Sequence, residues 1–114
     1  MKRLLVLLVA LLLVACSSAP TTYTEGTYTG TGNGFGGEIT VEVIVDAEGN
    51  LTGIDVTDHS ESIGEIPAVE TALTEIPQEI IKNNGTDGVD VTSGATRTSE
   101  GIKEAVDNAL EQAQ

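Results

Sequence analysis

The sequence predicts a small α+β domain: an antiparallel β-hairpin or sheet, helices packed on it after the strands, and an amphipathic helix at the C-terminus. Three observations carry this. Between Glu38 and Asp46, Ile39, Val41, Val43 and Val45 fall on one face and Thr40, Glu42, Ile44 and Asp46 on the other, the period of a half-buried strand. Ile102, Ala105, Val106, Ala109, Leu110 and Ala113 recur at three- and four-residue steps, the apolar stripe of a helix beginning near Ser99 or Glu100. Strand-like segments come first and helical ones after, with no internal repeat, an order that suits a sheet with segregated helices rather than alternating βαβ units.

The chain opens with Met1-Lys2-Arg3, a positive start, followed by 11 uncharged residues from Leu4 to Val14. That run is too short to span a bilayer and reads as the apolar region of a signal peptide, residues 1–15. Leu13-Val14-Ala15-Cys16 closes it and resembles the lipobox of bacterial lipoproteins, which implies cleavage before Cys16 and a diacylglyceryl group on its sulfur. The alternative is a plain secretory signal with an incidental cysteine. Cys16 is the only cysteine, so an intramolecular disulfide, a thiol redox pair and a c-type haem within this polypeptide are all excluded.

Residues 16–24 hold Ser17, Ser18, Ala19, Pro20, Thr21 and Thr22, a polar tether that reaches only ~30 Å when extended. A domain at its end, residues 25–114, stays close to the membrane surface. Gly26-Thr27-Tyr28-Thr29-Gly30 places β-formers between glycines and predicts an edge strand. After the strand at Glu38 to Asp46, Ala47-Glu48-Gly49-Asn50 is a turn and Leu51 to Asp58 the returning arm with Ile54 and Val56. Ile66, Val69, Ala72, Leu73 and Ile76 take helical spacing until Pro77, which predicts a break and a short second helix holding Ile80 and Ile81. Asn83-Asn84-Gly85 is a helix stop, and Val89 with Val91 predicts a short strand leading into the last helix.

Without the first 15 residues the chain has three basic and 18 acidic side chains, a charge of −15 against −13 for the full length. Such a surface repels nucleic acid and anionic headgroups, so the expected membrane link is the lipid on Cys16. Tyr23, Tyr28 and Phe35 are the only aromatic residues and there is no tryptophan, so the core rests on small aliphatic side chains and is thin. One histidine, no second cysteine and scattered carboxylates give no metal-ligand cluster.

The residues with the clearest chemical character run from Asp90 to Ser99: Asp90-Val91-Thr92-Ser93-Gly94-Ala95-Thr96-Arg97-Thr98-Ser99. Gly94 and Ala95 allow a tight turn and a close backbone approach, and Ser93, Thr96, Thr98 and Ser99 surround that turn with hydroxyls. A helix N-terminus beside them favours an anion, above all a phosphate. The same residues also read as an ordinary Ser/Thr-rich N-cap.

Ser93-Gly94-Ala95-Thr96, with Thr98-Ser99 behind it and Asp90 three residues ahead, resembles the flavinylation motif of the FMN-binding domain family, and the similarity runs back to about Tyr28. This family includes flavin-bearing subunits of Rnf-type and sodium-pumping NADH:quinone oxidoreductases and small bacterial lipoproteins. The resemblance implies that a dedicated FMN transferase joins the FMN phosphate to the hydroxyl of Thr96, with Asp90, Ser93, Gly94, Ala95, Thr98 and Ser99 forming the rest of the cofactor site. It also implies that the segment from His59 to Gly64, which begins His59-Ser60-Glu61-Ser62, lines the flavin, although the family's usual Thr-Pro-Gly is replaced by Ser62-Ile63-Gly64. The residue-level alternative leaves His59 as a solvated loop side chain. The Gly-rich segment Gly30 to Gly37 does not join a strand to a helix, so it is neither a dinucleotide fingerprint nor a P-loop.

No base is arranged with Ser93, Thr96 or Thr98 to make a hydrolase nucleophile. The resemblance then implies an electron-transfer flavoprotein or a subunit of an oxidoreductase system rather than a stand-alone enzyme. It is expected to be monomeric, lipid-anchored outside the cytoplasm, and to relay electrons between a membrane-associated donor and acceptor. The alternative is a non-redox lipoprotein module that holds flavin or another phosphate ligand noncovalently.

Overall fold

The computed structural model describes residues 23–61 and 65–114. The segment expected to be signal peptide and lipidation site, Cys16 included, and Ser62-Ile63-Gly64 lie outside those residues. Strands β1 (Gly26–Asn33), β2 (Glu38–Val45) and β3 (Leu51–Asp58) precede helices α1 (Pro67–Asn83) and α2 (Thr96–Glu111). The strands form one antiparallel sheet in the order β1-β2-β3, so the predicted α+β architecture with a C-terminal amphipathic helix is the one adopted.

Ile39, Val41, Val43 and Val45 are all buried, and so are the six residues of the predicted stripe, five of them in α2 and Ala113 just beyond its end. At the β2–β3 turn, the Asp46 carboxylate accepts 2.9 Å hydrogen bonds from the Glu48 and Asn50 N–H groups. Gly49 supplies the positive φ of 83° that the turn needs.

Strand β1 runs to Asn33, three residues beyond the predicted Gly30. Gly30 and Gly32 are strand residues because the backbone of α2 crosses directly over them. A Cβ built on Gly30 would lie 2.1 Å from the Ala105 carbonyl oxygen, and one on Gly32 would lie 2.2 Å from that of Gly101. The outer edge of β1 is covered by a polar column on the same helix: Asn108 donates to the Thr31 carbonyl at 2.6 Å, Gln112 to the Thr29 carbonyl at 2.7 Å, and Glu104 accepts from the Asn33 N–H at 2.7 Å. Backbone groups that would otherwise invite another strand are thereby taken up.

Three further expectations are corrected. Helix α1 continues through Pro77 instead of restarting there. Proline inside a helix costs about 3 kcal/mol. Val69, Ala72, Ile76 and Ile80 are buried on both sides of it, and full burial of a large aliphatic side chain is worth ~1.5–3 kcal/mol, so packing outweighs the break. The end of α1 follows the expected stop: Asn84 takes the left-handed conformation, with its N–H on the Ile81 carbonyl and that of Gly85 on the Ile80 carbonyl.

Val89 and Val91 do not form a strand. Neither pairs with a strand among the described residues, and their segment is held by side chains instead: Lys103 Nζ donates to the Val89 carbonyl at 2.6 Å and the Thr92 N–H to Ser99 Oγ at 2.9 Å. Finally, α2 begins at Thr96 rather than at Ser99 or Glu100. Tyr23 and Thr24, placed by the sequence at the end of the tether, pack with the domain: Tyr23 contacts the core and the Thr24 N–H donates to the Ala113 carbonyl at 2.7 Å.

Candidate functional site

Gly94 turns the chain into α2 with φ at +87°, a conformation suited to glycine, and Ala95 then stands as N-cap without a capping side chain. The first three helical N–H groups, those of Thr96, Arg97 and Thr98, have no acceptor among the described residues; the fourth, of Ser99, closes onto the Ala95 carbonyl at 2.9 Å. The hydroxyl-rich run therefore does not cap its own helix in the ordinary way. It leaves the positive end of the helix open.

The hydroxyls divide sharply. Ser99 is fully buried; its Oγ donates to the Ala95 carbonyl at 2.8 Å and accepts from the Thr92 N–H. Thr98 is also fully buried, and its Oγ1 donates to Glu61 Oε1 at 2.6 Å. Thr96 and Ser93 remain exposed. Of the two, Thr96 is the one on the open helix end.

Glu61 is a buried carboxylate that sequence reasoning did not single out. Besides the Thr98 hydroxyl it accepts the Phe35 N–H on Oε1 at 2.8 Å and the Gly36 N–H on Oε2 at 2.6 Å. Burial pushes its pKa up. The hydrogen bonds from the Thr98 hydroxyl and the Phe35 and Gly36 N–H groups outweigh that and hold it below the ordinary glutamate value. The sequence signal was a lone carboxylate between two residue runs able to offer it donors, the Gly-rich loop and the Thr98 turn.

The predicted site residues fall around different surfaces. Gly94, Ala95, Thr96 and Thr98 line a cavity of about 330 Å³ together with Phe35, Ile66, Val69 and Arg97. Asp90 and Ser93 face a neighbouring, wider cavity of about 680 Å³, whose walls carry Glu75 and Glu79 as well. Those carboxylates make the larger space the less suitable one for an anion. His59 stands at a third cavity, with Leu73, Pro77 and Ile81, and its Nδ1 accepts the Glu61 N–H at 3.1 Å. It is not brought to Thr96.

The smaller cavity fits a flavin mononucleotide in two respects. Its walls are mainly apolar, and its volume is at the lower end of the ~300–1,000 Å³ usual for small-molecule sites, a size for a flat ring system. Its rim holds an exposed hydroxyl, three bare N–H groups and the Arg97 side chain, which makes no ion pair among the described residues. No cluster of three or more potential metal ligands occurs among the described residues.

A family model described as the FMN-binding domain matches residues 34–111. The chain is 38% identical over 84 residues to a urocanate reductase of Eggerthella lenta, covering 74% of this chain and 13% of that protein. It is 33% identical over 94 residues to an NADH:acrylate oxidoreductase of Vibrio harveyi, covering 82% and 9% of the two chains. An uncharacterized protein of Treponema pallidum is 31% identical over 96 residues, covering 84% and 25%. The chain thus spans a quarter or less of the length of these relatives.

Proposed function

Because the chain belongs to the FMN-binding domain family, we propose that it carries FMN covalently on Thr96 and serves as an electron relay held to a bacterial membrane, outside the cytoplasm, by a lipid on Cys16. The observation that carries this reading is the division of hydroxyls at the start of α2. Thr98 and Ser99 are consumed inside the protein, and among the described residues Thr96 is the one that offers an exposed hydroxyl at the open helix end.

Esterification from a flavin nucleotide donor with a phosphoanhydride link forms a bond between Thr96 Oγ1 and the flavin-side phosphorus; the anhydride P–O bond breaks, the displaced nucleotide phosphate departs with the bonding pair, and the hydroxyl proton is released. The remaining phosphodiester is a monoanion, and the N–H groups of Thr96, Arg97 and Thr98 point where it would sit. A helix end contributes roughly 0.3–1 kcal/mol to a nearby anion, and toward ~2 when partly buried. Arg97 adds a cation at the cavity rim.

Bound FMN supplies the one- and two-electron chemistry, and the protein supplies attachment, orientation and exclusion of water. Ile66, Val69 and Ala95 give the cavity its apolar lining, and no histidine faces it. That fits a carrier rather than an enzyme with its own acid and base. Asp90 and Ser93, exposed on a segment outside regular structure, are accessible to a modifying FMN transferase. The reductase and oxidoreductase names of two relatives support a redox role, with this domain exchanging electrons with partners near the membrane.

Intact-mass measurement on protein purified from its own host tests the reading. The expected increment over the polypeptide is FMN less one water, located on the peptide containing Thr96. Unmodified Thr96, or flavin lost on denaturation, would favour noncovalent binding instead.

A further inference from the structure

Resting on that reading of Thr96, we infer that Phe35 is the aromatic wall against which the flavin ring packs, and that Glu61 is the positioning residue that holds it there. Phe35 is 59% exposed, more than Ile44 at 43% or Val91 at 38% among the large apolar side chains on the surface. It stands on the loop between β1 and β2, flanked by glycine on both sides, and faces the same cavity as Thr96. Tyr23 and Tyr28 lie away from this cavity: Tyr23 at the C-terminal end of α1, and Tyr28 with its hydroxyl on the Thr24 carbonyl at 2.8 Å. Phe35 is thus the aromatic side chain available to the ring among the described residues.

An exposed phenyl on a glycine loop ordinarily has no defined place. Here the loop is fastened by polar contacts. The Phe35 and Gly36 N–H groups are shared between the two oxygens of Glu61, and the Gly34 N–H closes the turn on the Gly37 carbonyl at 2.8 Å. The fit is close enough that a Cβ on Gly34 would lie 2.6 Å from Glu61 Oε1, and one on Gly36 would lie 2.1 Å from the Ser60 carbonyl oxygen. The oxygen that takes the Phe35 N–H also takes the Thr98 hydroxyl, two residues along the helix from Thr96. One carboxylate therefore sets the aromatic loop in register with the turn that bears the attachment hydroxyl. A flat aromatic ring tethered at Thr96 meets Phe35 across the cavity, and ring pairs of this kind favour offset or edge-on contact.

The test uses the full chain, flavinylated in its host, in wild-type, Phe35→Trp, Phe35→Ala and Glu61→Gln forms. Flavin retained on denaturing gels reports attachment; emission intensity, anisotropy and iodide quenching of the attached flavin report ring contact; circular dichroism reports the fold. Phe35→Trp is expected to quench flavin emission several-fold by contact with the indole. Phe35→Ala and Glu61→Gln are each expected to lower anisotropy and raise iodide access, with attachment and fold retained. Attached flavin whose emission, anisotropy and iodide access are the same in wild type, Phe35→Trp and Phe35→Ala would overturn the inference while leaving the covalent reading intact. Loss of ring contact in Phe35→Ala but not in Glu61→Gln would overturn the positioning role of Glu61. Wild-type protein without covalent flavin would overturn the reading itself, and the inference with it.

Discussion

Thr98 Oγ1 donates a 2.6 Å hydrogen bond to Glu61 Oε1 inside the protein, joining residues 37 positions apart in the chain. The bond ties the first turn of α2 to the segment leaving β3, and Glu61 in turn fastens the Gly-rich loop through Phe35 and Gly36.

Glu61→Gln removes the charge and places an amide NH₂ opposite donors, leaving at least one N–H unpaired. The expected loss of stability is about 1–3 kcal/mol at neutral pH. Because the folded pKa of Glu61 is depressed, its contribution is fully present above the unfolded value and vanishes as pH falls through the folded one. The difference in melting temperature between wild type and Glu61→Gln should therefore be constant near neutrality and shrink below about pH 4, the ordinary range for glutamate. Acidification also relieves repulsion among the many surface carboxylates, but it does so in both proteins, so the difference isolates Glu61. A difference that grows on acidification would contradict the hydrogen-bonded carboxylate.

Thr96→Ala is expected to abolish covalent flavin with the fold intact, since exposed positions usually change stability by less than about 0.5 kcal/mol. Thr98→Ala should do the reverse: flavin stays attached while stability falls by about 1–3 kcal/mol through the loss of a buried donor to Glu61. Denaturing gels read for flavin fluorescence, beside thermal melts, separate the two. Fluorescence surviving in Thr96→Ala would remove that residue as the attachment point. Expression must include the FMN transferase.

This division of labour among neighbouring hydroxyls could not be read from the sequence, because what separates Thr98 from Thr96 is a carboxylate contributed by a distant segment. Local periodicity did reveal the β2 alternation and the α2 stripe, because both patterns follow from burial of one face. It failed where a tertiary contact decides. Gly30 and Gly32 resemble a turn until α2 is laid across them, Pro77 resembles a break until the core on either side of it is counted, and the valines at 89 and 91 resemble a strand until side chains of α2 are found holding their segment.

The Gly32 contact is itself open to test. A methyl group there would meet the Gly101 carbonyl oxygen at 2.2 Å and the Ala105 nitrogen at 2.7 Å, both backbone atoms that side-chain motion cannot move aside. Gly32→Ala should therefore destabilise the domain by at least the 1–3 kcal/mol typical of overpacking, measured by chemical denaturation. A neutral substitution would mean that α2 shifts freely over β1, against the hydrogen bonds from Asn108 and Gln112 to the β1 edge.

Cys16→Ser addresses location. If the lipid on Cys16 is the anchor, the variant should leave the membrane fraction or accumulate unprocessed, with flavin chemistry at Thr96 unaffected once the domain is exported. Full retention in the membrane after processing would require a second anchor. Among the described residues no helix is long and apolar enough to provide one.

Attachment of flavin should also change the stability of the fold. The proposed phosphodiester would add an anion to a chain whose net charge is already −13, so general electrostatics oppose it. The N–H groups at the start of α2 and Arg97, which have no acceptor or ion-pair partner among the described residues, oppose that repulsion locally, the helix end by roughly 0.3–1 kcal/mol. Ring burial is the larger effect: removing ~100 Å² of apolar surface from water, counted over the ring and the side chains of Phe35 and Ile66 together, contributes about 2.5 kcal/mol at ~25 cal/mol per Å². In a domain this size ~1 kcal/mol moves the melting temperature by about 4–8 °C. Flavinylated protein should thus melt several degrees above the apo form, and Arg97→Glu should narrow the gap by replacing the local cation with a like charge. Equal melting temperatures for the two forms would mean that the ring hangs in solvent from Thr96 and that the small aliphatic core is complete without it.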